Sequence, residues 1–149
     1  MKTKRSAPSP ADADVVRLDL PASHKYLNVL GACLAEVLGR VEGLADPATS
    51  VYNVQLAVHE ACTNVVDHAY AGRTGGRIRV TLTLATAPGR LVVELHDTGR
   101  SFDPAGVAEP RLGEPQVGGY GLFLVRQLMD EVSYEPRPDG NRWRLVKNL

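Results

Sequence analysis

Glu60, Asn64 and His68 recur at four-residue intervals in the stretch E-A-C-T-N-V-V-D-H-A-Y, which runs from Glu60 to Tyr70. On a helix of about 3.6 residues per turn, positions i, i+4 and i+8 project from one face. Val58, Cys62, Val65, Val66 and Ala69 fall largely in other sectors, so one helix can carry both a core stripe and a polar row. A carboxylate, an amide and an imidazole in such a row could do chemistry on a charged ligand, or could form a solvated helix face. His59-Glu60 does not open a zinc-protease H-E-x-x-H pair, because position 63 is Thr63.

Two stretches downstream bear on that choice. Asp97-Thr98-Gly99 follows an apolar alternating run, and Gly118-Gly119-Tyr120-Gly121 precedes a helical one. Small residues before a helix let backbone N–H groups approach an anion where the helix dipole also favours negative charge, so phosphate is the natural ligand. A polyphosphate usually arrives with a divalent cation. Mg2+ keeps several waters and takes only one or two protein oxygens, a demand that the Asn64 carbonyl oxygen fits. Glu60, one turn earlier, could then take the proton from an attacking hydroxyl or water. Asp97, at a strand end, could accept a hydrogen bond from an exocyclic amino group such as that of adenine, or could be a turn-forming aspartate.

The elements that must position these groups follow from periodicity. Residues 1–13 are rich in Pro, Ala, Ser and charge and read as a disordered tail, leaving residues 14–149 as one domain. Val16, Leu18 and Leu20 alternate with Arg17 and Asp19, which predicts a first, edge strand ending at Pro21. Ser23 is placed to cap a helix in which Leu27, Leu30, Leu34, Val37, Leu38 and Val41 recur at helical spacing, with Gly43 as its stop. Asp46-Pro47 predicts the start of a second helix running to Tyr70, ended by Gly72, Gly75 and Gly76. Ile78 to Leu84 and Leu91 to His96 alternate around a Pro88-Gly89 turn and predict an antiparallel hairpin.

From Thr98 to Gly119 the pattern gives way to Gly, Pro and Asp. A loop of this length in a small domain is usually functional, often a lid. Leu122, Val125, Leu128 and Met129 restore a helical stripe, and strands are predicted at 132–135 and 142–146, with Trp143 packing in the last and His24 and His96 as surface or strand histidines. The whole predicts an α+β two-layer sandwich, with three main helices on one face of a mixed, mostly antiparallel sheet.

Composition bounds the function. The 149 residues are 44% hydrophobic and 23% charged, ordinary for a soluble globular domain. Lys plus Arg equals Asp plus Glu at 17 each, so no net field favours nucleic acid or an anionic membrane. Cys33 and Cys62 lie in helical apolar patterns, as buried reduced thiols do. No signal peptide or membrane-spanning run is legible, and a cytoplasmic location is expected.

With these residues in place, the Glu60/Asn64/His68 row resembles the N-box, D-T-G-R-S-F-D from Asp97 the first glycine box, and G-Y-G-L from Gly119 the second, of the GHKL ATPase superfamily. N-V-V-D-H-A-Y, D-x-G-x-x-F-D-P and G-G-x-G-L-F-L-V-R-Q-L-M-D-E-V are together similar to the bacterial anti-sigma-factor serine/threonine kinases of the RsbW and SpoIIAB type. The resemblance covers residues 15–147, and three ordered motifs are far more specific than any one.

It implies a Bergerat fold that binds ATP and Mg2+, with Glu60 as general base, Asn64 as the Mg2+ ligand and His68 close to the phosphates. Asp97 would bind the adenine amino group and Gly99 would permit close approach to the base. Gly119 and Gly121 would contact phosphates through the backbone, and residues 103–118 would form the ATP lid. Phe102, Gly118, Tyr120 and Leu122 belong to the same boxes and are candidate nucleotide contacts. Arg100 and Arg111 could each reach phosphate, and sequence does not choose between them. Ser101 departs from the glycine common in the superfamily, and Gly140-Asn141 stands where many relatives have Gly-Thr near adenine.

The implied reaction is transfer of the ATP γ-phosphate to a serine or threonine of a STAS-domain anti-anti-sigma factor, by a regulator that also sequesters a sigma factor and forms a homodimer. One alternative is an ATP-binding partner switch without phosphotransfer, or one with a non-sigma output. Another is the catalytic half of a histidine kinase, which ranks last because the extension before Val15 is short for a phosphoacceptor hairpin. No direct nucleic-acid or membrane partner is expected.

Overall fold

The computed structural model describes residues 13–71, 73–101 and 120–149. The expected tail, Gly72, and the expected lid with Phe102, Arg111, Gly118 and Gly119 lie outside the described residues.

Alternation of apolar and polar residues builds five strands: β1 (Asp14–Pro21), β2 (Arg77–Thr86), β3 (Gly89–Asp97), β4 (Glu131–Arg137) and β5 (Gly140–Asn148). They form one sheet in the order β1-β2-β3-β5-β4. Each of the four pairings is antiparallel, so the expected mixed sheet is corrected to an antiparallel one among the described residues. The reason is local. β2–β3 and β4–β5 are hairpins, and β1 and β5 add to the first hairpin in the opposite sense to their neighbours.

Three helices cover one face: α1 (Leu27–Leu38), α2 (Pro47–Asn64) and α3 (Tyr120–Leu128). Leu30 and Leu34 of α1, Val54, Val58 and Ala61 of α2, and Val125 of α3 pack with the inward rows Ile78–Leu84, Leu91–Leu95 and Trp143–Leu145. This gives the α+β two-layer sandwich that the sequence predicts. Cys33 and Cys62 are free, and burial pushes the Cys62 thiol up to about 12, so it is protonated and inert in the core. No described helix is long and apolar enough to cross a membrane.

Element ends differ from expectation where backbone chemistry intervenes. Ser23 caps a 3-10 turn (His24–Tyr26) that precedes α1. The first helix stops at Leu38, short of Gly43, because Gly39 has the weak helix preference that favours tighter i→i+3 winding, seen in Arg40 N–H to Val37 O and Val41 N–H to Leu38 O. Val41 leaves the helix yet still packs against the core. Asp46 caps α2 as expected, accepting from the Thr49 amide, with Pro47 at the first turn.

The second helix reaches its predicted end in a different form. After Asn64 the chain widens into a π-helical turn, Val65–Ala69, closed by the bond from Tyr70 N–H to Val65 O. The row Glu60–Asn64–His68 is therefore regular only over its first two members.

Leu34 is fully buried between the helix layer and the sheet. Leu34→Ala is expected to cost about 2–5 kcal/mol through lost burial and the cavity left behind, measured as a lower urea midpoint at unchanged slope.

Candidate functional site

On β3 the inward row reads Leu91, Val93, Leu95 and then Asp97, so a carboxylate takes the place of the next core residue. Asp97 is 2% exposed. Its Oδ1 accepts from the Gly99 amide at 2.9 Å and from Asn141 Nδ2 at 2.9 Å, whereas Oδ2 accepts no hydrogen bond among the described residues. Burial raises the Asp97 pKa, while Asn141, the Gly99 amide and His96 act in the opposite sense. One oxygen is thus fixed and the other remains an acceptor.

Asn141, opposite Asp97 in the β3–β5 register, is fully buried. Its amide also donates to Gly99 O at 3.0 Å and Arg100 O at 3.3 Å, and its Oδ1 accepts from Ser101 Oγ. The two residues that depart from the superfamily pattern, Ser101 and Asn141, therefore bond to each other. With its donors committed to the protein, Asn141 serves as a clamp on Asp97. Sequence reasoning marked the substitution without seeing this role; the available signal was an Asn placed at the start of the strand that would pair with the end of β3.

The turn after Asp97 lies against the end of the helical segment that carries Glu60 and Asn64. A Cβ on Gly99 would come within 2.5 Å of Ala69 O, so only glycine permits this approach. The Arg100 amide donates to the same carbonyl at 2.7 Å. Gly140, at φ +139°, lies beneath Asp97, where a Cβ would fall 2.3 Å from Asp97 O.

The other half of the site begins at Glu60, on the helix that the π turn continues. Glu60 and Asn64, both half-buried, meet the first turn of α3: a Cβ on Gly121 would sit 3.0 Å from Glu60 Oε2 and 3.6 Å from Asn64 Oδ1. Neither side chain is engaged in a hydrogen bond or ion pair among the described residues. Tyr120 opens α3, and the Leu122 side chain is buried in the core, as its place in the helical stripe predicts, which leaves its backbone as the part that could meet a nucleotide. His68 is exposed on the π turn and Arg100 is exposed after Gly99. The structure brings Glu60 and Asn64 together with Gly121, and Asp97 together with Gly99; it does not bring His68 or the Arg100 side chain into contact with either group.

The residues present fit a nucleotide with a divalent cation. Asp97 Oδ2 at one end and the Glu60–Asn64 pair beside the first described turn of α3 at the other have no hydrogen-bond partner among the described residues, and the helical segment from Glu60 to Ala69 that touches both is about 13 Å long. That is the scale of a nucleoside triphosphate.

The family model for the histidine kinase-like ATPase domain matches residues 20–147, and the chain belongs to that family. Within it, the sequence is similar to serine-protein kinase RsbW of Bacillus subtilis, 33% identical over 129 residues that cover 81% of this chain and 78% of the relative. The RsbW of Bacillus pumilus is 30% identical over 131 residues, 82% of this chain and 78% of its own length. Among solved structures, the RsbU and RsbW domains of a Mycobacterium tuberculosis protein superpose with a TM-score of 0.64 at 21% identity, covering 91% of this chain and 32% of that longer one. The histidine kinase domain of an Erythrobacter litoralis blue-light-activated kinase gives 0.56 at 21% identity, covering 87% and 61%. These two establish the fold.

The raised Asp97 pKa carries a sign. Ionisation is disfavoured in the folded state, so the contribution of Asp97 to stability is fully present below its ordinary value of 3.8 and is lost as pH rises through the raised one. Asp97→Asn keeps an acceptor for Gly99 and removes that loss. Its thermal midpoint at neutral pH is expected at or above that of the parent, while loss of a charged hydrogen bond to adenine costs about 1.5–3 kcal/mol, or roughly ten- to over a hundredfold in ATP affinity by calorimetry.

Proposed function

We propose that the protein is an ATP-dependent serine/threonine protein kinase of the partner-switching type. It phosphorylates a STAS-domain anti-anti-sigma factor and, in the alternative state of the switch, holds a sigma factor. The observation that carries this reading is the meeting of Glu60 and Asn64, neither of them hydrogen-bonded among the described residues, at Gly121. Family membership and the similarity to RsbW kinases support it.

In the reaction, the partner's hydroxyl oxygen forms a bond to the γ-phosphorus as the bridging bond to the β-phosphate breaks and ADP leaves. The hydroxyl proton passes to a Glu60 carboxylate oxygen. Asn64 would hold Mg2+, whose chemistry here is neutralisation of phosphate charge. The backbone around Gly119, Tyr120, Gly121 and Leu122 would bind phosphate oxygens, where N–H groups and the α3 dipole favour anions. His68 and Arg100 are exposed, and in this reading His68 would lie close to the phosphates and Arg100 would reach them from its loop. Asp97 and Gly99 would bind the adenine, and Phe102 and Gly118, from the two glycine boxes, would be further nucleotide contacts. Homodimer formation and a cytoplasmic setting complete the proposal.

The test is incubation with Mg-ATP and a STAS-domain protein from the same genome, followed by intact-mass analysis. One added phosphate, mapped to serine or threonine, is expected. Glu60→Ala should slow its appearance by about a hundred- to ten-thousandfold with ATP affinity largely intact. ATP binding with no gain in partner mass would contradict the kinase reading, and equal rates in the variant would remove Glu60 from the mechanism.

A further inference from the structure

Asp97 can meet a base only if the turn that follows it is held still, since Thr98 is exposed and Gly99 adds backbone freedom. The fastening comes from Tyr70, the residue directly after the π turn. Its ring is buried, lying so close over Gly76 that a Cβ there would come within 2.7 Å of the ring atoms. Its hydroxyl donates to Arg77 O at 2.7 Å, at the start of β2, and accepts from the Thr98 amide at 3.0 Å. The Thr98 hydroxyl lies 3.4 Å from the same oxygen.

A phenol oxygen has one proton and can accept while donating, so these bonds satisfy it fully. The amide of Arg100, two residues on, is bound to Ala69 O. The turn 98–100 is therefore tied at both ends to consecutive residues of the helix that carries Glu60 and Asn64. The π turn ends at Ala69, so Ala69 O and the Tyr70 ring leave it as neighbours and meet the two ends of the same turn.

We propose that Tyr70 is a positioning residue for nucleotide recognition: its hydroxyl holds the Thr98 amide so that Asp97 presents Oδ2 to the 6-amino group of adenine. It acts through Asp97 and does not touch the base. This inference rests on the adenine reading of Asp97.

The test compares ATP with purine riboside triphosphate, which lacks the 6-amino group, by calorimetry on the parent protein, Tyr70→Phe and Asp97→Asn. The phenylalanine keeps the ring on Gly76 and removes only the hydroxyl. The parent should prefer ATP by about tenfold or more, and Tyr70→Phe should bring the preference towards unity. A merely structural role would weaken both ligands alike and leave the ratio unchanged. A parent preference that is lost in Asp97→Asn and kept in Tyr70→Phe overturns the role of Tyr70 and leaves the adenine reading standing. Equal affinities in the parent overturn the adenine reading, and the inference with it. Should Tyr70→Phe fail to fold, amide exchange in the parent decides: the Thr98 amide should exchange slowly, and more slowly with ATP than with the 6-deamino ligand. Exchange at the free-peptide rate with ATP bound would overturn the proposal.

Discussion

A carboxylate at the end of a central strand, facing the core, is the constraint around which the rest of this molecule is arranged. Asp97 occupies the next inward position after Leu91, Val93 and Leu95, where burial opposes its charge. Such a group persists only with hydrogen bonds, and each one recruits another element. Asn141 comes from β5, the Gly99 amide from the following turn, and Gly140 keeps side-chain bulk from beneath the strand end. The sheet order places β5 beside β3, which is what makes the Asp97–Asn141 pairing available.

The second helix and its π turn act as the common support for both ends of the site. Glu60 and Asn64 lie where α3 packs against α2, and Ala69 O takes the turn beyond β3 five residues after Asn64. Glu60, Asn64 and the contact to the turn beyond β3 thus lie on one continuous hydrogen-bonded segment, the kind of rigid placement that the proposed transfer by positioning requires. His24, bonded to Asp67 at 2.7 Å, adds a solvent-side tie between the first 3-10 turn and the π turn.

Much of this was legible in the sequence. Alternation identified all five strands, and three- and four-residue spacing identified all three helices, because each element buries one face. Asp46-Pro47 and Pro88-Gly89 marked boundaries through their own backbone chemistry. Glu60, Asn64, Asp97, Gly99 and Gly121 stood out because their types and order match a site that glycine-permitted close approach makes possible. What escaped was long-range or subtle in backbone form. The stop of α1 at Leu38 depends on a small preference at Gly39, and the π turn carries no residue signature in V-V-D-H-A. The clamp of Asn141 and Ser101 on Asp97 depends on strand register, which short motifs do not encode. Leu122 stands in both the second glycine box and the helical apolar stripe, and its side chain completes the core as the stripe predicts.

The central claim is that a nucleotide lies along the Glu60–Ala69 segment, between the end of β3 and the start of α3. Hydrogen-exchange mass spectrometry with and without Mg-ATP tests it most directly. Protection should concentrate in peptides spanning residues 60–70, 97–101 and 120–124, with the groove between α1 and α2 and the open face of the sheet unchanged. Protection confined to that groove, around Tyr52 and His59, or to the sheet face around Arg79 and His96, would contradict it.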